Sequence, residues 1–176
     1  MNNKTKLIVL NGLMVALVCL ATIIIQIPVP ITEGYINIGD SIIFISSILF
    51  GPLVGMIAGG LGSALADILT GYSHWALFTL IIKGFEGYIV GVIVRKNVSL
   101  LKNILATSLG VFIMIIGYLF AGSFLQGSFI VSLSSIPSNL IQGIVSMLIG
   151  IPISSYLLTI KYVKSFKQLF NKKSIG

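Results

Sequence analysis

Four charged side chains stand inside apolar runs or at their edges: Asp40, Asp67, Lys83 and Glu86. An ionisable group at mid-bilayer costs roughly 2.5–3.5 kcal/mol on insertion scales, so each needs a partner or a task. Lys83 and Glu86 are three residues apart, which makes them neighbours on one helix face. Lys83 can pair with Glu86 or Asp67 to neutralise buried charge, or these groups can meet polar atoms of a ligand. The residue types alone admit both. Shortly after Asp67 the segment GYSHW holds Tyr72 together with the only histidine and the only tryptophan, His74 and Trp75. Flat aromatic faces with a few fixed polar groups suit a small heteroaromatic ligand. Tryptophan and tyrosine also anchor at membrane interfaces with no ligand at all. Further on, IPSNLIQG sets Asn139 and Gln142 one turn apart. An amide in a membrane helix either joins helices or reads a ligand's hydrogen-bonding edge; Gln142 reads as glue, Asn139 as either.

Other chemistries find no support in the chain. It has no G-x-x-x-x-G-K-[ST] loop for ATP and no H-E-x-x-H for zinc. One cysteine, Cys19, and one histidine form no recognisable nucleophile–base signature. No ring of charges or carbonyl filter suggests a channel. We therefore expect no catalytic residue, no metal and no cofactor.

The elements that must position these residues are membrane helices. Of 176 residues, 56% are hydrophobic and only 9% charged, a composition outside the range of soluble domains. Runs at 7–27, 38–50, 53–70, 76–95, 103–124 and 137–160 approach the length of about 20 residues that a span requires. Gly51-Pro52 separates the second from the third, because proline disfavours a helical residue before it. The expected fold is an all-α integral membrane protein, a single domain over 1–176 built as a bundle of six transmembrane helices. The 7–27 run is longer than a signal-peptide core and is expected to be retained.

The net charge of +7 is distributed as topology signals rather than as a nucleic-acid surface. Lys4 and Lys6 precede the first span, Arg95, Lys96 and Lys102 lie between the fourth and fifth, and Lys161, Lys164, Lys167, Lys172 and Lys173 follow the sixth. Six spans with the N- and C-termini cytoplasmic put all ten inside; five spans would strand the last cluster outside. The outer connections are then 28–37 (PVPITEGYIN), 71–75 and 125–136, none with lysine or arginine. Small residues recur every four positions through Gly51, Gly55, Gly59 and Ser63 up to Asp67, and Lys83, Gly87 and Gly91 continue the theme on the next run. Rows of this kind let two helix backbones approach closely.

The stretch INIGDSIIFISSILFGPLVGMIAGGLGSALADILTG, with its aspartate-started short helix, G-P break and glycine-rich helix ending A-D, resembles the S components of energy-coupling factor (ECF) vitamin transporters. It is most similar to the riboflavin-type branch, and the likeness extends over nearly the whole chain. The resemblance implies a subunit of the bacterial plasma membrane that captures a vitamin-like heteroaromatic small molecule from outside. It also implies delivery to a transmembrane coupling subunit with two ATPase subunits, which agrees with the missing nucleotide loop. Docking on the coupling subunit is implied for a small-xxx-small pair on the first helix, here Gly12 and Ala16, where the family usually has alanine at both. A lid is implied for the 28–37 connection, and Tyr35 is the residue we expect it to contribute.

Asp67, His74, Trp75, Lys83 and Asn139 are the expected pocket residues. Asp67 or Lys83 would meet polar groups of the ligand and Trp75 would stack on its ring. Two other classes stay open on sequence: a self-sufficient secondary transporter using Asp67, Lys83 and Glu86 as a proton relay, and a ligand-free structural membrane protein.

Overall fold

The computed structural model describes residues 2–95, 98–161, 163 and 167. The chain runs α1 (Asn3–Ile24), β1 (Gln26–Val29), a 3-10 turn (Pro30–Thr32), β2 (Gly34–Asn37), α2 (Gly39–Phe50), α3 (Pro52–Leu69), α4 (Ala76–Val94), α5 (Leu100–Leu125), α6 (Phe129–Leu133) and α7 (Ser135–Leu157). Five helical stretches, at α1, α3, α4, α5 and the α6–α7 stretch, are long and apolar enough to cross a membrane, and α2 is a shorter apolar helix. Of the basic residues used to orient the chain, Lys96, Lys164, Lys172 and Lys173 lie outside the described residues.

The helical bundle matches the expected architecture in outline, with one correction to the all-α expectation. The connection after α1 is an antiparallel hairpin in which Gln26 faces Asn37 and Val29 faces Gly34. Ile27, Val29, Tyr35 and Ile36 favour extended backbone. Pro28 is tolerated because both strands are edges. A lone two-stranded hairpin is marginal in water, and this one is tied down by side chains from the helices, as described below.

Gly51 divides α2 from α3. Its φ of 93° lies in a region that other residues rarely enter, and Pro52 then starts α3 at a position that needs no N–H donor. The small-residue rows bring α3 against α4. A Cβ added to Gly87 would lie 2.6 Å from the Gly55 carbonyl carbon, so the two backbones are in direct contact. The Ser47 hydroxyl bonds the Gly87 carbonyl at 2.9 Å and ties α2 to the same place. This contact fixes the spacing between the helix that carries Asp67 and the helix that carries Lys83.

The interior holds Phe44, Ile48, Val90, Val94, Ala106, Val111 and Met114, with a second cluster around Val18, Ile43, Val54 and Ala58. Large apolar side chains such as Leu13, Leu17, Leu61, Phe85, Phe112 and Leu148 project from the outside of the bundle, as a hydrocarbon surrounding requires. Lys167 donates to the Ile48 carbonyl at 2.7 Å, placing a cation at the negative end of α2.

Candidate substrate-binding site

Under the hairpin lies a cavity of about 50 Å³, walled by α1, α3, α4, α5, α7 and the hairpin itself. At roughly 10–15 Å³ per water, that is room for about four water molecules. Five of the six expected site residues, Tyr35, Asp67, Trp75, Lys83 and Asn139, line it. His74 does not. It is exposed on the rim, with its ring 6.1 Å from that of Trp75 and 6.4 Å from that of Tyr72.

Two polar networks meet in the wall. In the first, Lys83 Nζ lies 2.5 Å from Asp40 Oδ1 and 3.1 Å from Glu86 Oε2, with the Tyr118 ring 5.5 Å away. Gln142 donates to the other Asp40 oxygen at 2.8 Å. Its own carbonyl accepts from the Asn37 backbone N–H at 2.9 Å and from the Asn37 amide at 3.3 Å. The network thus runs from α4 through α2 and α7 to the end of the hairpin. All of its charged groups are almost completely buried: Asp40 1%, Lys83 1% and Glu86 0% exposed. Pairing is what makes such burial tolerable.

In the second network, the Tyr35 hydroxyl donates to Asp67 Oδ1. Asp67 is 2% exposed, and no hydrogen bond of 3.5 Å or less reaches its Oδ2; the Thr79 hydroxyl stands beside the carboxylate as a potential donor, and the Lys83 charge acts on it through space. Burial pushes the Tyr35 phenol above its ordinary pKa, and the neighbouring Asp67 charge adds to the effect, so Tyr35 stays a donor. Lys83 therefore pairs with Asp40 and Glu86, and Asp67 pairs with the hairpin.

The remaining ties also run to the hairpin. Trp75 Nε1 donates to the Glu33 carbonyl at 3.0 Å, Gln126 to the Thr32 carbonyl at 2.7 Å, and Gln26 to the Thr70 hydroxyl at 3.2 Å. Glu33 has a φ of 50°, rare for a side chain of its type, and the Trp75 bond holds that residue in place. Tyr35 and Tyr72 rings lie 4.8 Å apart. Trp75 meets Tyr118 edge-on at 5.8 Å.

Sequence reasoning missed Tyr118, Thr22 and Ser135 as wall residues and missed Asp40 as the partner of Lys83. A tyrosine deep in an apolar run was the available signal for Tyr118. Gln142 lines the cavity, yet its bonds join three elements, which is the glue role. Gly12 and Ala16 are both exposed on α1, and a Cβ at Gly12 would meet nothing within 4 Å.

Residues 2–159 match the family model described as ECF-type riboflavin transporter, S component. The chain belongs to that family. A protein of Pyrococcus woesei named only as an uncharacterized protein in gap 3'region is 47% identical over 110 residues, covering 62% of this chain and 74% of that one. The thiamine precursor transporter HmpT of Lactococcus lactis subsp. cremoris (strain MG1363) is 29% identical over 127 residues, 72% of each chain. A UPF0397 protein of Streptococcus pneumoniae (strain Hungary19A-6) is 34% identical over 80 residues, 46% of this chain and 43% of that one. The S component is thus a transport subunit with membrane-spanning helices, in a family that is not one of enzymes.

Proposed function

We propose that this S component captures a vitamin or vitamin precursor of heteroaromatic type in the cavity beneath the hairpin, with Tyr35, Asp67, Trp75, Lys83 and Asn139 as contact residues and His74 at the rim. The observation that carries the reading is a buried, polar and aromatic cavity closed by a hairpin, in a chain of the S-component family. The cavity is smaller than the roughly 300–1,000 Å³ usual for ligand pockets. Entry of a ligand therefore requires the hairpin to lift and the Tyr35 and Trp75 bonds to open.

The chain crosses the membrane six times in this reading, as one domain with both ends cytoplasmic, in the bacterial plasma membrane. The 12 residues of α2 span about 18 Å, short of the roughly 30 Å hydrocarbon core. The hairpin ahead of α2 would cap its outer end. The exposed Gly12 and Ala16 give α1 a smooth strip against which a transmembrane coupling subunit, carrying two ATPases, would seat.

Equilibrium dialysis of the purified protein against riboflavin, pyridoxine and the thiamine-precursor pyrimidine tests the proposal. At least one compound should bind with submicromolar Kd. If nothing in such a panel binds, the function is wrong.

A further inference from the structure

The groups lining the cavity are not equally free to meet a ligand. The Lys83 ammonium is held by Asp40 and Glu86. Gln142 is engaged by Asn37 and Asp40, and the Trp75 indole N–H is given to the hairpin. What is left among the described lining residues is Asp67 Oδ2 and the hydroxyls of Thr22 and Ser135, all buried without a hydrogen bond, together with the Ser63 hydroxyl and the Asn139 amide, which make none. The strongest of these is an acceptor. A buried carboxylate oxygen without a donor is costly until a donor arrives, and charged hydrogen bonds are the strong ones.

The charge balance points the same way. Asp40, Asp67 and Glu86 oppose one ammonium, Lys83, within the same buried region. Among the described residues, no cation in the wall is free to receive a phosphate or a carboxylate. A fourth carboxyl group, Glu33, sits on the hairpin above.

We infer that Asp67 Oδ2 is the specificity group of the site and that the ligand is an amino-substituted nitrogen heterocycle, neutral or cationic and without phosphate. The inference rests on the substrate-capture reading and narrows it. An exocyclic amine gives the carboxylate an N–H with no acceptor pressed against it. An imide N–H, as in a flavin ring, has a carbonyl on each side, and both would face the carboxylate. Asp67 also joins ligand to lid, because its Oδ1 accepts from Tyr35 while Oδ2 takes the amine. A ligand that fills Oδ2 holds Asp67 in the orientation that Tyr35 needs.

The test uses four probes on the full chain in detergent: an aminopyrimidine bearing a hydroxymethyl group, its analogue with hydrogen in place of the amine, its phosphate monoester, and riboflavin. The amine should improve affinity by about 10-fold or more over hydrogen, the scale of one hydrogen bond to a charged group. The phosphate ester and riboflavin should bind more weakly than the aminopyrimidine. Asp67→Asn should erase the amine-to-hydrogen ratio, and Tyr35→Phe should weaken the aminopyrimidine while keeping that ratio. The wild-type ratio needs no variant to fold. If the phosphate ester or riboflavin binds as tightly as the aminopyrimidine, or the ratio is near one, this inference falls and the capture function stands. If none of the four nor any other vitamin binds, both fall together.

Discussion

Replacing Lys83 with methionine removes the only ammonium among the described residues within bonding distance of the buried carboxyl groups of Asp40 and Glu86. The two losses are unequal. Asp40 keeps the Gln142 amide at 2.8 Å, whereas neither oxygen of Glu86 has a hydrogen bond to fall back on. Breaking a buried pair by removing one partner typically costs about 3–5 kcal/mol. At roughly 2–4 °C per kcal/mol for a chain of this size, Lys83→Met should lower the Tm by about 6–20 °C. The asymmetry gives a sharper signature. Glu86→Gln added to Lys83→Met should restore more of the Tm than Asp40→Asn added to it, because Glu86 is the group left unpartnered. The assay is thermal unfolding in a mild detergent, followed by circular dichroism, on the three variants and the parent. A Tm within about 2 °C of the parent for Lys83→Met would refute the reasoning, being smaller than the effect of 1 kcal/mol. Better rescue by Asp40→Asn would show that the cost is carried by the other carboxyl group.

The Tyr35 phenol is pushed up by burial and by Asp67, so the unfolded chain releases that proton first. Its stabilising contribution is complete below about pH 10 and declines as the pH rises further. Ultraviolet titrations of wild type and Tyr35→Phe should therefore coincide through pH 10, and loss of one tyrosine's absorbance change there would contradict the burial argument. Gly87→Ala drives a methyl group into the Gly55 backbone and should cost about 1–3 kcal/mol by overpacking, while Gly12→Ala, with open space around it, should leave the Tm unchanged; equal effects in thermal melts would deny the close contact of α3 and α4. Gly12→Leu and Ala16→Leu should abolish uptake by the assembled transporter and preserve ligand binding. Full uptake with either variant would reject that face of α1 as the docking strip.

Much of the framework was readable from residue order alone. The Gly51-Pro52 break announced two helices where hydropathy shows one long run, and it falls where α2 ends and α3 begins. The small-residue rows announced the α3–α4 contact because a four-residue repeat keeps one face. The hairpin was not readable, since two strands of only four residues, the first interrupted by Pro28, leave no alternation to detect.

Pairing was the least legible feature. Spacing on one helix identified Glu86 as a neighbour of Lys83, but Asp40 is 43 positions away and reaches Lys83 only through the fold. Gln142 is 102 positions from the Asp40 it bonds. His74 and Trp75 are adjacent in sequence, yet Trp75 is buried at the start of α4 and His74 is exposed. Consecutive residues leaving a helix end point in different directions.

Trp75 is the only tryptophan and lines the cavity, so its emission reports directly on what enters there. A titration of the purified S component with the vitamin that dialysis identifies should give a saturable change in Trp75 fluorescence at one ligand per chain, with the dialysis Kd. Asn139→Ala should weaken it. A vitamin that binds by dialysis and leaves Trp75 emission untouched would place the ligand elsewhere and contradict the account.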